Sequence, residues 1–220
     1  MTGRIAVVDY GMGNLRSVAK ALEYVAPGAR VEATADAAAI AAADRVVFPG
    51  QGAMPDAMRE LRARDLVTVL RDAIAAKPFL GICLGLQALF EHSEEGDCHG
   101  LGILPGRVRR FAPPAGAHSG GERLKVPHMG WNTVTQTPQA GGVHPLWQGI
   151  ADDSRFYFVH SYYVEPADPA LAAGTSEYPG RFCCAVARES LFATQFHPEK
   201  SQAAGLALLR NFVNWDGRSV

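Results

Sequence analysis

The chain has no apolar run approaching the roughly 20 residues that a membrane-spanning helix requires. Near the start only Ile5, Ala6, Val7 and Val8 follow one another before Asp9, too short for the core of a secretory signal, so the cytoplasm is the expected location. Cysteine is scarce, with four in 220 residues. Cys83, Cys98, Cys183 and Cys184 have no C-x-x-C spacing, and the vicinal pair lies in a strand-like run, so free thiols are expected and a disulfide framework is not. Excess charge of either sign is also missing. Lys and Arg number 21 against 22 Asp and Glu, which leaves no polybasic surface for nucleic acid or membrane. There is no Gly-x-x-x-x-Gly-Lys-Ser/Thr loop, no Gly-x-Gly-x-x-Gly fingerprint and no internal repeat. What remains is an ordinary globular composition, 48% apolar and 20% charged, long enough for one substantial core, and residues 1–220 are expected to form a single domain.

The stretch from Phe79 to Phe90 organises the rest. An apolar strand-like run meets Cys83, flanked at two-residue spacing by Gly81 and Gly85, and an amphipathic segment starts at Leu84. Strand, sharp elbow and helix are predicted. The flanking glycines allow a tight turn and leave the sulfur uncrowded, as in a nucleophile elbow. A helix start there offers unpaired N–H groups and a positive dipole end, which favour thiolate over thiol. A lone cysteine beside a buried strand is also compatible with a small core hydrophobe, so a base elsewhere must decide.

Upstream, a strand from Arg4 to Tyr10 runs into the turn Gly11-Met12-Gly13-Asn14. Asn14 can cap a helix whose apolar face is Leu15, Val18, Ala19, Leu22 and Val25. Strands are predicted at Arg30–Ala33 and Asp44–Phe48, and helices at Asp36–Ala43, Met54–Arg62 and Asp65–Ala75. This alternation predicts an α/β fold with a mostly parallel sheet covered on both faces. Sites in such sheets lie at the carboxyl ends of the strands. Gly11 to Asn14, Pro49-Gly50-Gln51-Gly52 and Cys83 all fall there. Beyond Gly100 the pieces shorten: Gly106–Phe111, Val126–Val134, Phe156–Val164, Phe182–Arg188 and Leu191–Phe196 predict a smaller antiparallel or mixed sheet. Pro113 to Glu122, rich in Pro, Gly and Ser, is expected to be a mobile surface loop. Ser201 can cap a closing helix through Trp215.

The base is supplied by Gln195-Phe196-His197-Pro198-Glu199-Lys200-Ser201. Two-residue spacing in an extended segment puts His197 and Glu199 on one side, where the carboxylate can hold the imidazole, and Pro198 fixes the geometry between them. Taken alone, His-Pro-Glu is a surface turn with an incidental ion pair. With an elbow cysteine it completes a Cys-His-Glu set: a sulfur nucleophile, a proton shuttle and a carboxylate that sets the tautomer.

Cys83 within Gly-Ile-Cys-Leu-Gly-Leu-Gln, together with His197-Pro198-Glu199, resembles the class I (triad) glutamine amidotransferases, whose glutaminase domain is an α/β sandwich. Asp9 to Leu15, Pro49 to Ala53, Val126-Pro127-His128-Met129-Gly130-Trp131-Asn132 and Phe156 to Tyr162 are similar to one branch of that family, the glutaminase subunits of imidazole glycerol phosphate synthases. The resemblance covers nearly the whole chain. It implies hydrolysis of glutamine by Cys83, His197 and Glu199, with oxyanion donors at Leu84 and at Gln51, and no cofactor or metal. It implies that glutamine is held by Gly52, Gln87, Ser161 and Tyr162, with Glu95 on the α-amino group. It further implies a (β/α)8-barrel cyclase as a separate partner chain, docked on Asn14, Met129, Trp131, Tyr157 and Lys200. The Pro113 to Glu122 loop is longer than the family pattern needs.

On the residues alone several alternatives stay open. Gln87 can be an exposed helix residue, and Glu95 can belong to a solvated acidic run with Glu94. Trp131 and Tyr157 can be core aromatics. The whole can be a glutaminase component for anthranilate or aminodeoxychorismate, a non-catalytic module on the same sandwich, or a thiol hydrolase acting on peptides. His92, Cys98 and His99 can be metal ligands or a solvated loop.

Overall fold

In the computed structural model, residues 3–112, 116, 118–119, 122–123 and 125–218 are described. Most of the Pro113 to Glu122 loop lies outside them. The first half alternates as the sequence predicts: β1 (Arg4–Val8), α1 (Leu15–Val25), β2 (Arg30–Thr34), α2 (Ala37–Ala42), β3 (Arg45–Gly50), α3 (Met54–Ala63), α4 (Leu66–Ala76) and β4 (Phe79–Cys83). Asn14 and Asp36 cap α1 and α2, accepting from the N–H of Ser17 and of Ala38. The strands β2, β1, β3 and β4 lie side by side and parallel.

Period-two alternation sends Ile5 and Val7 to one face of the sheet and Ala6 and Val8 to the other, and each face has its own apolar core. One core packs Phe48 and Phe79 under α3 and α4; the other packs Leu80 and Phe192 under α1 and the C-terminal helix α6 (Gln202–Asn214). Every residue of β4 is buried, as expected of a central strand covered on both sides. Each fully buried phenylalanine contributes about 1.5–3 kcal/mol relative to an exposed one.

After Cys83 comes a single helical turn, α5 (Leu84–Gln87), where the sequence predicts a longer amphipathic helix. The chain leaves it because Phe90 enters the core in a new strand, β5 (Phe90–Ser93), which pairs antiparallel with β6 (Cys98–His99) and parallel with β7 (Leu104–Arg110). The remaining strands are β8 (His118–Ser119), β9 (Glu122–Arg123), β10 (His128–Gln136), β11 (Ser154–His160), β12 (Tyr162–Pro166), β13 (Ala172–Glu177), β14 (Arg181–Arg188) and β15 (Leu191–Thr194). Antiparallel ladders dominate this half, and they join the parallel part through β15, which runs parallel to β4 and antiparallel to β14. The strand predicted from Phe156 to Val164 is two strands. β11 pairs with β10, whereas β12 pairs with β7 and β14, and Ser161 is the break between these allegiances. Among the described residues no helix is long and apolar enough to cross a membrane.

Candidate active site

Cys83 has β3 on one side and β15 on the other. The β3–β4 register sets Gly50 opposite Cys83, so Gln51 follows at the elbow. The β15–β4 register sets Thr194 opposite Ile82, so Gln195 is the next residue along, beside Cys83. The elbow is sharp: Cys83 has φ 56° and ψ −107°, a sparsely populated conformation for a residue with a side chain. Its sulfur is not buried among apolar atoms alone. It opens on a cavity of about 400 Å³ lined by Gln51, Gly52, Cys83, Leu84, Gln87, Glu95, Pro127, Val159, His160, Ser161, Tyr162, His197 and Lys200.

His197 and Glu199 meet as their spacing predicts. His197 Nδ1 and Glu199 Oε1 are 2.8 Å apart, and both side chains are almost completely buried. The opposite ring nitrogen, Nε2, is buried without a protein partner. The carboxylate therefore accepts from the Nδ1–H and leaves Nε2 to take up or release the travelling proton. The His197 backbone is fixed as well: its N–H donates to the Tyr157 carbonyl at 2.9 Å, and its carbonyl accepts from the Ser201 hydroxyl at 2.6 Å. Ser201 also accepts from the Tyr157 N–H at 3.0 Å. Its side chain thus ties β11 to the His-Pro-Glu turn and makes no capping bond to α6, contrary to the sequence expectation.

Burial disfavours the charged form of His197, but the negative charge of the Cys83 sulfur and the Glu199 carboxylate outweigh burial and raise its pKa to about 10. A base raised from 6.5 in the unfolded chain contributes stability that is complete below pH 6.5 and is lost as pH rises through about 10. We therefore expect the parent chain to lose urea stability between those limits relative to His197→Asn. Parallel pH dependences in the two proteins would contradict this.

The predicted glutamine-binding residues converge. Gln87 is buried, not on an exposed helix face, and its Nε2 donates to the Tyr162 carbonyl at 3.0 Å and to Gln195 Oε1 at 3.1 Å. Only its carbonyl oxygen is left for a ligand, so Gln87 can accept from an N–H but not donate. Glu95 accepts from the Met54 N–H at 2.8 Å, which caps α3, and burial raises its carboxyl pKa. Gly52, Ser161 and Tyr162 line the same cavity.

The predicted docking residues share an exposed surface in part. Trp131 and Tyr157 are cross-strand partners on β10 and β11, with ring centroids 6.1 Å apart, and Lys200 Nζ sits 5.8 Å from the Tyr157 ring centroid. Met129, two residues before Trp131 on the same face of β10, is 62% exposed, and Trp131 is 38% exposed. Neither is a core residue. Asn14 is exposed at the start of α1, its side chain spent on the cap.

Sequence reasoning missed four residues around the cavity. Tyr10 places its buried, unpartnered hydroxyl against Gly50, where burial and the Cys83 charge push its pKa up. Gln195 donates to Cys83 Sγ at 3.6 Å. His128 and His160 pair at 2.9 Å, both with pKa values lowered by burial, to about 4 and about 3. Only strand register could have found Gln195, and the histidine pair joins strands far apart in sequence. His92 Nε2 lies 2.8 Å from Asp97 Oδ1, and among the described residues no group of His, Cys, Asp or Glu is arranged to hold a metal.

A cysteine on a strained strand-to-helix turn, facing a cavity it shares with a carboxylate-held histidine from the neighbouring strand end, is the arrangement of a triad amidotransferase. Residues 6–215 match the family Glutamine amidotransferase class-I, and the chain belongs to it. It is 63% identical over 211 residues to the imidazole glycerol phosphate synthase subunit HisH of Aromatoleum aromaticum, covering 96% of this chain and 98% of that one. The subunit HisH of Dechloromonas aromatica is 64% identical over 211 residues, covering 96% of each chain. Among solved structures, a putative GMP synthase protein from Thermoplasma acidophilum superposes with a TM-score of 0.67 at 20% identity, covering 97% of this chain and 94% of that one. That likeness extends to the fold.

Proposed function

We propose that the chain is the glutaminase subunit of an imidazole glycerol phosphate synthase, a single amidotransferase domain working in the cytoplasm as half of a heterodimer. The observation that carries the chemistry is the convergence of Cys83, His197 and Gln87 on one cavity. Cys83 Sγ attacks the side-chain amide carbon of glutamine, forming a C–S bond and placing negative charge on oxygen. The N–H of Leu84, at the start of α5, and an N–H of the Gly50-Gln51-Gly52 loop are the candidate donors to that oxygen. His197 Nε2, carrying the proton taken from the Cys83 thiol, then gives it to the nitrogen as the C–N bond breaks and ammonia departs. A thioester remains, and His197 takes a proton from the water that attacks it. Glutamate leaves and the electron pair of the C–S bond returns to sulfur.

The names of the relatives describe one component of a larger synthase, so the ammonia has a receiving chain. We assign that role to a (β/α)8-barrel cyclase, which would combine the ammonia with its phosphoribulosyl-formimino-AICAR phosphate substrate to give imidazole glycerol phosphate and AICAR, the histidine-pathway step. The identities favour this reading over a glutaminase for anthranilate or aminodeoxychorismate. Docking is assigned to the surface of Met129, Trp131, Tyr157 and Lys200, with Asn14. Titrating the liganded cyclase into the chain should raise glutamate release strongly, and Trp131→Ala should shift the titration midpoint upward about tenfold. An activity that is complete without the cyclase, or a midpoint unmoved by Trp131→Ala, would overturn the partner assignment.

A further inference from the structure

Cys83 has a second polar neighbour, on the opposite strand from the Gly50 loop. Gln195 is fully buried, and a buried amide must have its hydrogen bonds made. Which end of the amide faces the sulfur follows from a chain of bonds with one possible polarity. The Tyr162 carbonyl can only accept, so the Gln87 atom 3.0 Å from it is Nε2. That same Nε2 lies 3.1 Å from the Gln195 amide, which must therefore present Oε1. The remaining end, Gln195 Nε2, is 3.6 Å from Cys83 Sγ, a normal N–H to sulfur separation. Flipping Gln87 would set its oxygen against the Tyr162 carbonyl, two acceptors, and flipping Gln195 would set two N–H donors against each other. The same carbonyl anchors a second arm: His160 Nδ1–H donates to it at 2.8 Å, and His128 Nδ1–H donates to His160 Nε2 at 2.9 Å.

We propose that Gln195 is a further catalytic residue, an oriented N–H donor to the Cys83 sulfur held in place by Gln87 and the Tyr162 carbonyl. It stabilises sulfur whenever sulfur carries charge: as the attacking thiolate, and again when the thioester C–S bond breaks and its electron pair returns to Cys83. A hydrogen bond to a charged group is about twice as strong as a neutral one. The inference rests on Cys83 being the nucleophile.

The test is the rate at which iodoacetamide alkylates Cys83 in the full-length chain at pH 7, followed on the Cys83 peptide by mass spectrometry. Gln195→Glu keeps an oxygen for Gln87 but turns the donor into a second acceptor; Gln195→Met removes the donor with little change of volume. Both should slow alkylation about tenfold or more while circular dichroism stays native. Unchanged rates in folded variants would overturn the proposal. Should the variants not fold, the parent chain answers instead: a Gln195 side-chain amide proton should lie downfield in the parent and move upfield in Cys83→Ala, and a resonance identical in both would overturn it. Alkylation needs no turnover of glutamine. Absence of glutamate release from the parent would therefore strike the glutaminase reading without imitating a failure at Gln195.

Discussion

Cys83→Ala should lower glutamate release from glutamine by at least about 10⁴-fold, measured with the proposed cyclase partner and its ligand present. Alanine keeps the Cβ, so the φ of 56° costs the backbone about as much in the variant as in the parent. The substitution removes the sulfur and little else. Without it there is no thioester. The base at His197 then has only water to activate, on a carbonyl that water attacks poorly. The thermal unfolding midpoint should fall by no more than a few degrees, because a single sulfur that borders the cavity contributes little packing. A residual rate within tenfold of the parent, free of contaminating enzyme, would mean that Cys83 is a core residue after all. It would also return the peptide hydrolase and the non-catalytic module to consideration.

The second large effect is structural. Gly85→Ala should destabilise the protein by about 3 kcal/mol or more and abolish activity, read by urea denaturation and by glutamate release. A Cβ at Gly85 would lie 1.9 Å from the Phe48 carbonyl oxygen and 3.0 Å from its carbon. Both atoms belong to the backbone of β3, which is paired on both sides and cannot give way as a flexible side chain would. The elbow would have to lift off β3, carrying Cys83 away from Gln51. Gly180→Ala is the control, since nothing lies within 4 Å of a Cβ there and no positive φ is involved. Its effect should stay within about 0.5 kcal/mol. If Gly85→Ala behaved like that control, the close approach of elbow and strand would not hold in solution.

The proposed docking surface is one hydrogen bond from the base. Tyr157 presents its ring beside Trp131 and gives its carbonyl to the His197 N–H, while Ser201 closes the loop back to His197. A partner docked on the proposed surface would therefore press on the imidazole through the β11 backbone, without any intervening side chain.

Much of this was legible in the sequence. The alternation of strands and helices up to Cys83, the cap at Asn14, the elbow and the His197 to Glu199 pairing are consequences of local rules: side-chain period, turn chemistry and spacing within a few residues. Resemblance of the motifs around Cys83, His197, Gln51 and Trp131 carried the family and the cavity residues Gly52, Gln87, Glu95, Ser161 and Tyr162. The one-turn length of α5 and the break at Ser161 were not legible. Leu84 to Phe90 satisfies a helical pattern as well as it satisfies a turn and a strand, and Phe156 to Val164 reads as one apolar run until its two halves find different partners.

The sequence by itself pointed to Cys83, His197 and Glu199 as candidates for the chemistry and placed them at strand ends, because those readings depend on neighbours along the chain. Only the tertiary structure decided that β15 lies against β4. That single parallel pairing puts His197 and Gln195 beside a cysteine over a hundred residues away in sequence. It also fixed the direction of the Gln87 and Gln195 amides, since a side-chain amide has no preferred orientation until a carbonyl from another strand, here that of Tyr162, can only accept.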